Sequence, residues 1–437
     1  MQGSLKIWGR CRVINALKKD GLGKNIAIMG LGTLLAQGIN VLIQPLLSRI
    51  FPASDLGIYT FVISVANILI PIASLKLDLL IVSEKDDMRA QYITDICVLA
   101  CFFVAFGLFF FLIVCKIFFP NVVLLQYGSL IYFAPILVLT NGLRFLFISY
   151  NNRYKEYKLI SKLEALRELV RAAIQTASGF LIFGAQGLLA GYAVAPVLGY
   201  RLQMKRYFQG LKNRPRITFS QIKGLLIRGR KQIMFIMPAQ LINSFSSSLV
   251  TMMIGALFSA SALGYYSMGV RVLDVPIMFI SSNVSKVCFQ RICECVSESQ
   301  PISKTIAKLV LILSAVSIAT FGVVFLAAVP LCELIFGQGY GIAGSYIRCL
   351  CLMYAMRLVA TSFSGSFTAF GKQKYELFLN VALVLAAFIV YGLSIACSCP
   401  MESFLKAIGF GYSIMYACML AGVLCCCFKF DRQLKSL

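Results

Sequence analysis

Nine charged side chains within otherwise apolar stretches of the sequence are candidates for contacting a ligand or an ion. Six are cations and three are anions: Lys76, Asp78, Arg144, Glu168, Arg171, Arg271, Asp274, Arg348 and Arg357. A charge at the centre of a bilayer costs about 2.5–3.5 kcal/mol on insertion scales, so such a residue usually faces a cavity or a partner charge. The excess of cations favours an anionic ligand, because an arginine can hold two phosphate oxygens at once.

Three of the cations are the leading candidates for contacting that ligand. Lys76 has no opposite charge three or four residues away, where a helix would bring one close. Arg144 and Arg357 occupy related positions in a faint internal repeat, described below. We therefore predict that Lys76, Arg144 and Arg357 project into one cavity and bind substrate.

Arg271 and Arg171 are further candidates for substrate binding, but each has a carboxylate three residues away. The pairs Arg271/Asp274 and Glu168/Arg171 therefore also fit a self-neutralising ion pair on one helix face. Because the chain contains no histidine, coupling to a proton would need a carboxylate. The options are Asp78, Asp95 and Asp274, of which Asp78 and Asp274 are the candidates for ion coupling. Asp78 lies near the end of an apolar stretch, where it could instead reach water.

The elements that would position these residues follow from composition. The chain is 59% hydrophobic, with a mean hydropathy of +0.84, and 13% of its residues are charged, against about 25% in soluble proteins. Repeated apolar stretches are long enough to cross a bilayer as helices. They lie near 25–47, 56–83, 92–115, 127–150, 163–184, 186–205, 231–258, 263–285, 306–330, 345–370, 377–398 and 404–428. The sequence predicts an all-α polytopic membrane protein with about 12 transmembrane helices.

Positive charge is unevenly distributed over the segments that join these stretches. With a cytoplasmic N-terminus, the inner segments contain 31 of the 41 lysines and arginines, and the outer segments contain 3. This bias predicts that both termini are cytoplasmic. The basic stretch 201–231 then lies on the inner side, which predicts contact with anionic membrane lipids and no nucleic-acid partner.

Sixteen cysteines occur without any histidine, and their spacing matches neither a zinc site nor a disulfide framework. Most of them lie within the apolar stretches or at their inner ends, where a thiol behaves as a small apolar side chain. We therefore predict no metal, no cofactor and no catalytic residue.

Two short sequences occur twice in the chain. Residues 50–60, IFPASDLGIYT, match residues 257–267, LFSASALGYYS, at six of eleven positions. A fainter match joins RFLFISY (144–150) to RLVATSF (357–363). Because six predicted spans separate the copies, they have the same orientation and predict two six-helix lobes related by a parallel repeat. The predicted segments are a basic N-terminal segment (1–24), an N-lobe (25–207), a basic loop (208–230), a C-lobe (231–428) and a cytoplasmic tail (429–437).

One stretch resembles a known family. LSRIFPASDLGIYTFVISVANILIPIASLKLDLLIV (47–82) is similar to the opening of Wzx-type O-antigen flippases, which belong to the multidrug/oligosaccharidyl-lipid/polysaccharide flippase superfamily. The shared pattern is a basic residue, apolar positions, proline, and then Leu-Gly-x-Tyr, formed here by Arg49, Pro52, Leu56, Gly57 and Tyr59.

The resemblance implies a transporter rather than an enzyme. It implies translocation of an undecaprenyl-pyrophosphate-linked oligosaccharide across the bacterial inner membrane by alternating access. A polysaccharide polymerase and a chain-length regulator would be the protein partners.

Three alternatives stay open. A drug or cation antiporter of the same superfamily shares the layout, although acidic cavity residues would suit its substrates better. A lipid II flippase is also similar but usually has additional spans. A polysaccharide polymerase or ligase is a polytopic enzyme of comparable length, but it typically has a large outer loop and no internal duplication.

Overall fold

The structure is a computed structural model of the chain, and it describes residues 22–121, 123–212 and 218–435. Helices joined by short turns make up this described part, which contains no β-strand. The fold class predicted from the apolar stretches is therefore confirmed as all-α.

The helices of the first half follow the predicted spans. They are α1 (Leu22–Ile50), α2 (Ala53–Leu69), α3 (Asp78–Ser83), α4 (Asp87–Phe118), α5 (Phe133–Arg153), α6 (Tyr157–Phe180), α7 (Gly184–Val194), α8 (Tyr200–Gln203), α9 (Lys205–Lys212) and α10 (Phe219–Arg228). Helix α10 lies in the segment predicted as a basic loop (208–230), and α9 begins three residues before that segment. Thr218 begins α10 with a reciprocal capping box to Gln221.

The second half continues with longer helices. They are α11 (Met237–Leu257), α12 (Ala260–Pro276), α13 (Ser282–Ser297), α14 (Ser303–Phe336), α15 (Gly341–Ser362), α16 (Gly365–Ala369), α17 (Gln373–Ala396) and α18 (Met401–Lys435). Asp431 accepts hydrogen bonds from the backbone amides of Ile302 and Ser303. The tail of α18 therefore caps the start of α14, where backbone amides lack partners within the helix.

Within the described residues, nine helical stretches are long and apolar enough to cross a membrane. They coincide with the second to fourth and the seventh to twelfth predicted spans, so the protein is a multi-pass membrane protein. On α4, the side chains of Phe102, Phe103, Phe106 and Phe110 are exposed. A soluble protein rarely leaves such a patch uncovered, whereas a bilayer provides an apolar solvent for it.

The second and eighth predicted spans are each interrupted beside a proline. After α2, a 3-10 turn (Ile70–Ile72) containing Pro71 leads into a non-helical stretch, in which Leu75 and Lys76 have φ of 55° and 59°. After α12, which ends at Pro276, a π-helical turn runs over Ile277–Ser281. Proline lacks the backbone N–H that continues a helix, which explains why both interruptions lie beside one.

The chain forms two compact units. Among the described residues, one unit comprises those up to Leu47 together with those between Leu69 and Pro238, and the other comprises Ser48–Ile68 together with those from Ala239 onward. Most of α2 therefore packs with the second half of the sequence. The two lobes that the internal repeat predicts, with their boundaries, stay a prediction.

Candidate functional site

The second unit contains an ion pair between Asp274 on α12 and Arg357 on α15. Arg357 Nη1 lies 3.4 Å from Asp274 Oδ1. The Arg357 side chain is 34% exposed and the Asp274 side chain is 49% exposed. Both side chains therefore keep some accessible surface, and within the described residues the guanidinium makes one long contact with a carboxylate.

Tyrosines surround this ion pair. The Arg357 guanidinium lies 5.2 Å from the ring centroid of Tyr354, one turn earlier on α15, and Tyr354 also forms a side-chain hydrogen bond with Asp274. On α18, Tyr412 and Tyr416 are four residues apart with ring centroids 6.5 Å apart, and the charge of Arg357 acts on both. In the described part of the chain, the buried hydroxyl of Tyr412 has no hydrogen-bond partner. The site therefore combines an accessible cation with aromatic faces and a hydroxyl.

Arg271 lies one turn before Asp274 on α12, and its charge acts on that carboxylate. It also acts on Tyr340, which precedes α15 and packs edge-on against Tyr265 at 5.3 Å between ring centroids. Burial raises the pKa of Tyr340 to about 12, and Arg271 opposes this shift. The predicted candidates Arg271, Asp274 and Arg357 thus belong to one neighbourhood.

In the first unit, Arg144 on α5 is engaged by Glu164 on α6. Its Nε donates to Glu164 Oε1 at 3.1 Å, and its Nη2 contacts Oε2 of the same carboxylate. This two-bond geometry is the strongest form of an arginine–carboxylate pair. The two side chains are 17% and 19% exposed, so the guanidinium of Arg144 is far less available than that of Arg357.

Arg167 completes this buried network and was not among the predicted site residues. Its side chain is 2% exposed. It donates to Glu164 Oε1 at 3.3 Å, to Gln203 Oε1 at 2.7 Å and to the backbone oxygen of Leu198 at 3.1 Å. The three-residue spacing of Glu164 and Arg167 was a visible signal, but their contacts with α5 and the α7–α8 region were not.

Arg171 forms an ion pair with Glu168, as the self-neutralising interpretation predicts. Both side chains are 13% exposed, and the Arg171 guanidinium lies 5.6 Å from the ring centroid of Tyr192. A role for Arg171 in binding substrate stays a prediction.

Lys76 and Asp78 lie at the interruption after α2. Lys76 is half-exposed, and among the residues that the structure describes it has no hydrogen-bond or ion-pair partner. Asp78 accepts hydrogen bonds from Ser74 Oγ at 2.6 Å and from Ser149 Oγ at 3.3 Å. Within the described ranges these hydroxyls are the hydrogen-bond partners of Asp78, and no cation pairs with it. Its role in ion coupling stays a prediction.

The predicted residues thus divide between the two units. Lys76, Asp78, Arg144 and Arg171 belong to one unit, and Arg271, Asp274 and Arg357 belong to the other. Their convergence on one cavity stays a prediction. The sequence did not indicate the tyrosines around the Asp274–Arg357 pair. A signal was present for two of them, because the i,i+4 spacing of Tyr412 and Tyr416 places both rings on one helix face.

Comparisons with known proteins agree with this architecture. Residues 46–343 match the model of a family described as polysaccharide biosynthesis protein. The fold is similar to that of the lipid II flippase MurJ in an inward closed conformation, with a TM-score of 0.67 and 12% identity over 93% of this chain and 90% of that one. Among curated proteins, none has a sequence that matches this chain.

Two further solved structures have a similar fold. A multidrug resistance MATE family transporter of the MOP superfamily, in an inward-facing conformation, matches with a TM-score of 0.60 and 14% identity, over 94% of this chain and 99% of that one. A MOP superfamily transporter from Pyrococcus furiosus, described as having a binding pocket of reverse polarity, matches with a TM-score of 0.57 and 13% identity, over 93% and 95%. At these identities the likeness shows a shared fold.

Proposed function

Because the chain belongs to the polysaccharide biosynthesis protein family, we propose that it is a flippase for a lipid-linked oligosaccharide. Its cargo would be an undecaprenyl-pyrophosphate-linked repeat unit of O-antigen or of a related surface polysaccharide. The protein would act in the bacterial inner membrane with both termini in the cytoplasm. It would hand its product to a polysaccharide polymerase and a chain-length regulator.

The observation that carries this proposal is the accessible Arg357 among tyrosines, inside a membrane-spanning helix. An arginine presents paired donors that match the oxygens of a pyrophosphate. A tyrosine presents an apolar ring face with a polar tip, and this combination suits a sugar that has both C–H faces and hydroxyls. A headgroup with two phosphates followed by sugars would use both parts of the site.

Transport would proceed by alternating access. The headgroup would enter the site from the inner side and leave on the outer side, while the lipid tail stays in the bilayer. No covalent bond changes in this step, so the proposal assigns no catalytic residue. Asp78 and Asp274 are the proposed groups for coupling to an ion or a proton.

Gene deletion in the native host followed by complementation tests this proposal. Wild-type protein should restore the surface polymer on a silver-stained lipopolysaccharide gel. Without the protein, single lipid-linked units should accumulate on the cytoplasmic side. Units that reach the outer side but stay unpolymerised would support an enzyme instead, and an unchanged surface with new drug sensitivity would support an antiporter.

Two arginine variants on α15 test whether complementation depends on Arg357. Arg357→Gln should insert normally and fail to restore the polymer. Arg348 is also on α15, but it donates to the backbone oxygens of Phe325 and Leu326, so Arg348→Gln should restore the polymer. Equal complementation by both variants would contradict the assignment of Arg357.

A further inference from the structure

The two copies of the duplicated sequence, 50–60 and 257–267, lie against each other within the second unit. A Cβ atom placed on Gly57 would lie 1.9 Å from the backbone oxygen of Ala260. A Cβ atom placed on Gly264 would lie 1.8 Å from the backbone oxygen of Ala53. Ala53 lies four residues before Gly57, and Ala260 lies four residues before Gly264. Each glycine therefore faces the alanine that lies four residues before the other glycine. The contact is reciprocal.

This contact requires glycine on both helices. Cβ atoms in proteins essentially never come within 3.0 Å of another heavy atom, and here the opposing atoms are backbone oxygens, which cannot rotate away. Glycine is the residue that permits such close approach of two backbones. By contrast, Gly38 in α1 and Gly107 in α4 have nothing within 4 Å in the described part of the chain. Other glycines of the described chain are also closely packed, among them Gly344 and Gly409, where a Cβ would lie 2.5 Å and 2.7 Å from backbone atoms. Gly57 and Gly264 face backbone oxygens at the shorter distances of 1.9 Å and 1.8 Å, and they face each other's helix.

Two side chains shortly before Gly57 in the sequence form hydrogen bonds with the end of α14. Ser48 Oγ donates to the backbone oxygen of Phe336 at 3.0 Å, and Arg49 Nη2 donates to that of Leu334 at 3.3 Å. Both acceptors belong to the last turn of α14, whose carbonyls have no partner within the helix. Water can replace these bonds when the segments separate.

Both helices of the pair are 17 residues long, and each ends at an interruption. At about 1.5 Å per residue, each is a rod of about 25 Å. The chain passes from one compact unit to the other between Ile68 and Leu69, at the end of α2. In each helix, the glycine contact is near the first residue, and the break in α-helical structure follows the last residue.

From these observations we propose that the Gly57/Gly264 contact is a reversible latch. It closes the predicted outer end of the protein, and the starts of α2 and α12 must separate for that end to open. This inference rests on the proposed transport activity but not on the identity of the cargo.

Substitutions that add one methyl group test the latch. In a background whose native cysteines are replaced, a reporter cysteine at Ser64, a buried position on α2, is labelled with a membrane-impermeant maleimide added from the outside. Gly57→Ala and Gly264→Ala should each raise the labelling rate at least about tenfold, because the added Cβ disfavours the closed state. Gly38→Ala and Gly107→Ala make the same chemical change in open space and should leave the rate unchanged.

Alanine favours a helix more than glycine does, so a loss of helix propensity cannot explain faster labelling. If the glycine variants do not accumulate, Ser48→Ala and Arg49→Gln remove contacts without adding volume, and they should raise the rate by a smaller factor. Unchanged labelling in all of these variants would overturn the latch. If the glycine variants label faster but the protein does not transport lipid-linked oligosaccharide, the latch is supported and the proposed cargo is contradicted.

Discussion

Replacing Asp274 by Asn tests how the Arg357 site would hold an anion. In the structure, Arg357 Nη1 contacts Asp274 Oδ1 at 3.4 Å. An incoming phosphate would therefore compete with Asp274 for the guanidinium. The Asn variant removes the competing charge and keeps the size and shape of the side chain.

The size of the effect follows from distance and exposure. Two unit charges 3.4 Å apart attract each other by about 5 kcal/mol at an effective dielectric constant of about 20. Because 34% of the Arg357 side chain and 49% of the Asp274 side chain are exposed, water screens the pair, and about 1 kcal/mol is the appropriate value. Removing this competition should tighten the binding of a pyrophosphate ligand about fivefold.

Undecaprenyl pyrophosphate is a suitable probe, with binding measured to the purified protein in nanodiscs. Export measured in cells should fall, because the release of a more tightly held headgroup is slower. Glu294→Gln is the matched control: it removes the same charge from the exposed Arg291–Glu294 pair on α13 and should not change probe affinity. Weaker binding by Asp274→Asn would refute competition and would mean that Asp274 orients Arg357 for the ligand.

Three further predictions concern single residues. Arg144→Gln leaves Glu164 partly buried without its main partner, so it should destabilise the protein by about 3 kcal/mol, seen as a lower melting temperature in detergent. Lys76→Gln removes a cation that has no partner among the described residues, so it should reduce export and leave the melting temperature unchanged. Tyr416→Ala should weaken binding of the oligosaccharide-bearing lipid more than that of undecaprenyl pyrophosphate alone, whereas Tyr416→Phe should retain most of both. Equal losses for both ligands would contradict a sugar contact at Tyr416.

The membrane-spanning helices were predictable because length and hydropathy are local properties of the chain. The interruptions after α2 and α12 had a visible signal in Pro71 and Pro276, yet the apolar character of the flanking residues concealed them. The assignment of Ser48–Ile68 to the second unit was not predictable, since it depends on contacts with residues about 200 positions later.

The ion pairs, too, could be predicted only in part from the local sequence. Spacing along one helix predicted that Arg171 would pair with Glu168, and it does. The same spacing left a pair between Asp274 and Arg271 open. Arg271 does act on the Asp274 carboxylate, but the ion pair at 3.4 Å joins Asp274 to Arg357 on another helix. Spacing indicates which pairs are possible, and the packing of neighbouring helices decides which of them form.

The duplicated sequences also explain why related positions can differ in role. Arg144 and Arg357 correspond in the faint repeat, but one is held by two bonds to Glu164 and the other by one long contact to Asp274. Each arginine contacts its own surroundings, so nothing requires the two to have the same partner. Gly57 and Gly264 contact the opposite copy, and a side chain on either would collide with the backbone of the other. Among the matched positions of these two stretches, Gly57 and Gly264 are therefore where we expect an added side chain to be tolerated least.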